Sequence, residues 1–155
     1  MTTYQVRAID PSRLTALRCA GVDDRGNPFV AIAARGWEPL RCCLQIAAED
    51  ERIALIAYSP FVERSAWAEI GPVFVHAEAC GGYDEDGLPP QLRTGPRILR
   101  TYHADGSLDY AHVTLVEDGD DLEPAVKQLF AETDVATVHV RALMAQCFTY
   151  AITRG

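Results

Sequence analysis

Ten consecutive residues, Gly71-Pro72-Val73-Phe74-Val75-His76-Ala77-Glu78-Ala79-Cys80, alternate in a way that leaves the rest of the chain few options. In an extended strand successive side chains point to opposite faces. Val73, Val75, Ala77 and Ala79 would then share one face, and Phe74, His76, Glu78 and Cys80 the other. The first set demands a hydrophobic core beneath it. The second lines up an imidazole, a carboxylate and a thiol, which is more reactive chemistry than packing requires.

The flanking segments supply the partners such a strand needs. Tyr4–Ile9 alternates and reads as a first strand; Asp10 then caps and Pro11 opens a short helix to about Arg18, with Leu14 and Leu17 turned inward. Gly21–Pro28 is a surface loop, and Phe29–Ala34 fits a strand or a helical turn equally well. Pro39–Gln45 and Ile53–Tyr58 read as two antiparallel strands joined through the acidic turn Glu49-Asp50-Glu51. Phe61 to Ile70 has the mixed character of a short helix. Gly81–Pro96, dense in Gly and Pro, is a long loop suited to shaping a binding mouth. Arg97–Tyr102 and Tyr110–Val116 flank Asp105-Gly106, a hairpin signal. Leu122, Val126, Leu129 and Phe130 fall on one helical face, with Asp120 and Glu123 at capping-box spacing. Val135–Arg141 and Cys147–Ile152 close the chain as strands; Thr137, His139 and Arg141 share one face, Val138 and Val140 the other. The sum is a single α+β domain over residues 1–155. Its sheet is mostly antiparallel, curved or partly closed, with about seven strands, and carries one long helix (about 120–132) and one short N-terminal helix.

Charge narrows the partners. A formal net charge of −8 in 155 residues repels both a phosphate backbone and an anionic membrane surface. Nucleic acid and membrane are therefore not expected. The acidic stretches Tyr83–Gly87 and Glu117–Asp121 read as solvated turns and lack calcium-loop spacing. Five cysteines with no C-x-x-C pair, and a start at Met1–Gln5 with neither basic nor apolar character, point to a cytosolic protein with reduced thiols. A small molecule is the expected partner, and a homodimer is left open.

The candidate site follows from residue types. His76 and Glu78, about 6–7 Å apart on one strand face, could work as an acid–base pair. Cys43 or Cys80 could serve as nucleophile beside an imidazolium or an arginine, and Arg41 and Arg141 suit an anionic group. On a regular strand, Cys42 and Cys43 would point to opposite faces and could not share one pocket. This set fits isomerisation, cyclisation or elimination on an anionic small molecule. The metal alternative uses His76, Glu78, Cys80 and His139. Two further readings are a non-enzymatic binding module and polar groups that merely satisfy one another in a core. No cofactor is specified by the pattern.

Pro39-Leu40-Arg41-Cys42-Cys43-Leu44, then Gly71 to Cys80, then Val138-His139-Val140-Arg141 with Cys147-Phe148 downstream, resemble a bacterial family catalogued as domain of unknown function 1203. The resemblance spans nearly the whole chain. It implies a single-domain cytosolic protein whose motif residues here are Arg41, Cys42, Cys43, His76, Glu78, Cys80, His139, Arg141 and Cys147. His139 and Cys147 join Arg41 and Arg141 as the expected substrate-binding residues, a role argued from residue types because the family carries no assigned reaction.

Overall fold

The computed structural model describes residues 4–155, so Met1–Thr3, part of the cytosolic reading, lie outside it. Strands β1 (Tyr4–Arg7), β5 (Arg97–Tyr102), β6 (Thr114–Val116), β7 (Thr137–Ala142) and β8 (Phe148–Arg154) form an antiparallel sheet in the order β1-β8-β7-β5-β6. A second sheet holds β2 (Ile32–Ala33), β3 (Arg52–Tyr58) and β4 (Gly71–His76) in sequence order. The chain is thus α+β and mostly antiparallel, as its alternation implies. The strands divide between two open sheets and do not build a single closing one.

Each sheet has its own core. Leu99, Val116, Val138, Val140, Tyr150 and Ile152 of the larger sheet bury against Val126, Leu129 and Phe130 of α2 (Glu123–Ala131) and against Leu122 just before it. Ala54, Ile56, Val73 and Val75 of the smaller sheet bury with Leu14 and Leu17 of α1 (Pro11–Ala20). Alternation explains the second core directly, since Ala54 pairs with Val75 and Ile56 with Val73.

Asp10 caps α1 by accepting the Ser12 amide at 2.8 Å, and Arg18 of the same helix donates at 3.1 Å to the carbonyls of His76 and of Ala77. That tie fixes the end of β4. α2 is shorter than its sequence pattern suggests: it runs nine residues against ten for α1. Asp121, and not Asp120, accepts the Glu123 amide at 2.8 Å. Phe61–Ile70 forms bends and a turn, without the short helix expected there. The β5–β6 hairpin turns at Gly106, whose φ of 86° is the positive value the turn requires.

The largest departure lies at Pro39–Ile46. This segment is no strand paired with β3. Pro39 bridges Ile46, Leu40 bridges Phe74 on the free edge of β4, and residues between them turn. β3 pairs instead with β2 and β4. Leu44 completes the turn at φ 59°, a left-handed conformation strained for a branched side chain, while burying its side chain in the larger core.

Candidate metal centre

The alternation of β4 stops at His76. Beyond it the chain bends, so Glu78 and Cys80 are not successive members of one strand face. Glu78 turns to solvent and pairs with Arg52 at 2.8 Å, both side chains being mostly exposed. Cys80 folds back. The carboxylate that reaches His76 is Glu51, whose Oε1 lies 2.6 Å from Nε2. Glu51 itself is steadied by the Ala48 amide at 2.8 Å. The antiparallel register explains this pairing: Ile53 lies opposite His76, so the residue just before β3 comes within reach of the ring.

The other ring nitrogen faces sulfur. Nδ1 is 3.4 Å from Cys42 Sγ and 3.7 Å from Cys43 Sγ, and the main-chain N–H of His76 donates to Cys42 Sγ at 3.2 Å. Both thiols converge because Cys42 and Cys43 sit in a turn, where the strict alternation of a strand does not apply. The expectation that they face opposite ways is corrected by that turn. With Cys80, these side chains form a group of four whose ligand atoms all lie within 4.8 Å of one another. Cys42 and Cys43 are buried, while His76 and Cys80 are half-buried.

Electrostatics within the cluster is uneven. Burial works against charge on His76, but its bonds to Glu51 and Cys80 outweigh it and hold the imidazole above its ordinary range. The Ala48 amide and the His76 ring hold Glu51 below the usual carboxylate range. The two adjacent thiols behave as one unit: the Cys42 S–H facing Cys43 pushes Cys42 up and Cys43 down, so Cys43 is the readier of the two to ionise.

A family profile described as "Protein of unknown function (DUF1203)" matches residues 37–154. The chain belongs to that family. Nothing among curated proteins or solved structures matches it. The matched span contains every residue of the cluster as well as Glu51.

The remaining motif residues lie elsewhere. Arg41 is buried beside the cysteine turn and ties it to β8, with Nε donating to the Phe148 carbonyl at 2.8 Å and Nη1 to that of Pro39 at 2.6 Å. Burial lowers its guanidinium to about 10. His139 is caged by the rings of Tyr102, Phe61 and Phe148 at 4.5, 5.1 and 5.1 Å and stands apart from the cluster. Arg141 and Cys147 line a separate cavity with Phe148. Of the alternative ligands named from sequence, His76 and Cys80 converge; Glu78 and His139 do not join them. Cys42 and Cys43 complete the set. Glu51 was hidden among three consecutive acids, Glu49-Asp50-Glu51, that nothing local distinguishes.

The chain carries, among the described residues, no helix long and apolar enough to cross a membrane.

Proposed function

We propose that this protein binds a divalent zinc-class cation through Cys42, Cys43, Cys80 and His76 Nδ1, with Glu51 as the outer carboxylate. One observation carries the reading: His76 turns Nδ1 to the sulfurs of Cys42 and Cys43, with the Cys80 sulfur within 4.8 Å of the same set, and Nε2 to the Glu51 carboxylate. This is the arrangement in which a carboxylate orients a metal-bound imidazole and raises its basicity. Distances support it. A tetrahedral ion with Zn–S of about 2.3 Å and Zn–N of about 2.0 Å sets ligand edges of roughly 3.5–3.8 Å. The two measured sulfur–nitrogen edges are 3.4 and 3.7 Å. Three thiolates and one imidazole form a closed coordination shell, the pattern of a structural centre. It would clamp the cysteine turn, the end of β4 and the loop after it.

A second reading has its own support. Cys43, His76 and Glu51 stand in the order nucleophile, base and orienting carboxylate. Cys43 also borders a cavity of about 130 Å³ shared with Leu44, Gln45, Tyr83 and Gln91. In that reading the chain is an enzyme acting on a small molecule, with Glu51 in the role first assigned to Glu78.

Metal analysis of freshly purified protein, paired with native mass spectrometry, separates the two. One equivalent of metal that is lost in both Cys42→Ser and Cys80→Ser supports the closed centre. A metal-free parent that also fails to take up added zinc overturns it. The nucleophile reading expects Cys43 alone to be alkylated rapidly near neutral pH, and Cys80→Ser to leave that rate unchanged.

A further inference from the structure

The end of β4 remote from His76 holds a second constellation. Gly71, Pro72 and Val73 line a cavity of about 170 Å³ with residues of β7, β8 and the turn between them. Val73, the cavity residue of β4 nearest His76, is three positions from it, which separates the cavity from the cysteine cluster by roughly 10 Å at a strand rise of about 3.3 Å. Part of its wall is apolar, from Tyr58, Val73 and Phe148; Arg141 and Glu69 supply charge.

Arg141 is the anomaly. Its side chain is 7% exposed, yet Nε has no acceptor among the described residues. Nη1 is committed to the Gln146 carbonyl at 2.9 Å. Nη2 reaches Glu69 Oε2 only at 3.4 Å, while the other oxygen of Glu69 is held closely by Arg100 at 2.6 Å. The Nε/Nη2 edge of a guanidinium matches a carboxylate in two parallel hydrogen bonds, and a buried charge normally has that partner. Here the edge carries one loose contact. Glu69 is half exposed and sits at the end of the bent segment 59–70, which contains no helix or strand.

We infer that this cavity binds a small monocarboxylate, whose carboxylate takes the Nε/Nη2 edge of Arg141 and displaces Glu69 from it. Glu69 is then an internal placeholder. The volume limits the ligand, because an apolar protein cavity of about 150 Å³ holds one benzene ring. A carboxylate with about six non-hydrogen atoms and a short apolar body is the class that fits. The inference does not depend on the cysteine cluster binding metal.

Calorimetric or NMR titration of the intact protein with propionate, pyruvate and lactate tests it, with pyruvamide as the uncharged control. The parent should bind at least one of the three acids saturably and should ignore pyruvamide. Glu69→Ala, a change at an exposed side chain, should tighten binding up to about fivefold by removing the competing carboxylate. Arg141→Met should abolish it, with circular dichroism confirming the fold. The inference is overturned if none of the acids saturates parent or Glu69→Ala below about 50 mM, where affinity is too weak to be specific. Weaker binding in Glu69→Ala would equally overturn it, as would pyruvamide or inorganic phosphate binding as well as the acids.

Discussion

Two histidines, one on each sheet, show what neighbours do to the same side chain. His76 closes β4 of the smaller sheet with a carboxylate on one nitrogen and thiols around the other. His139 occupies the middle of β7 in the larger sheet, 3% exposed, among aromatic rings, and its Nδ1 has no partner among the described residues. Loss of water disfavours the charged imidazole at both positions. At His76 the opposing charges of its neighbours win and the group is held above its ordinary range. At His139 burial acts first, the guanidiniums of Arg141 and Arg100 act in the same direction, and the imidazole falls to about 3. Burial alone therefore says little about what a histidine does. The decisive quantity is what its nitrogens meet.

That contrast yields four tests, taken from the largest expected effect downward. Stripping metal from the His76 end with a chelator should lower the melting temperature by about 10 °C or more, since a closed centre contributes folding free energy outright. Cys42→Ser should show the lowered value from the start and no further response to chelator. An unchanged melting curve in the parent would break the comparison at that end.

Acid is the probe for the His139 end. The unfolded imidazole takes a proton near pH 6.5, while in the fold His139 stays neutral down to about 3. The unfolded chain therefore binds the extra proton throughout that window. The stabilisation is present above pH 6.5 and is lost as pH falls, by up to about 1.4 kcal/mol per pH unit below 6. Urea unfolding of the parent and of His139→Phe between pH 4 and 7 checks this, because the variant should have a flatter acid limb. Equal limbs would show that His139 is not the group responsible.

The two carboxylates near His76 sharpen the comparison further. Glu51→Gln should weaken zinc affinity about 10- to 100-fold in a competition titration, the usual cost of losing an outer carboxylate. Glu78→Ala should leave zinc affinity alone and alter stability by no more than about 0.5 kcal/mol, since its pair with Arg52 is exposed. If Glu78→Ala proved the more damaging of the two to zinc binding, the assignment of Glu51 would fall.

Much of the scaffold was readable before folding was considered. Alternation marked Val73 and Val75 as core and set His139 and Arg141 on one face of β7, opposite Val138 and Val140. The spacing of Leu122, Val126, Leu129 and Phe130 marked α2, and Asp105-Gly106 marked the hairpin. The misplaced pieces share a cause. Pro39–Ile46 has the composition of a strand, but its main-chain partners are its own far end, Phe74 on the edge of β4 and Ile9 beyond β1, and such partners are chosen by tertiary packing. The same holds for 61–70, whose mixed charges fit a helix although its side chains are used in contacts with the larger sheet, Glu69 with Arg100 and Phe61 with His139.

The amino-acid sequence by itself determined the mostly antiparallel α+β class, the buried positions Val73 and Val75 of β4 and Val138 and Val140 of β7, and the presence of an imidazole with thiols within one family motif. Tertiary structure alone decided which of them meet. Periodicity of two fixes which side of a strand a residue occupies, because it arises from backbone geometry within a few bonds. Convergence of Cys42 and Cys43 on His76 depends on a turn held by strained Leu44 and buried Arg41. The choice of Glu51 over Glu78 depends on the β3–β4 register. Both are set by contacts between residues some 25 to 107 positions apart in the chain, and local spacing carries no record of them.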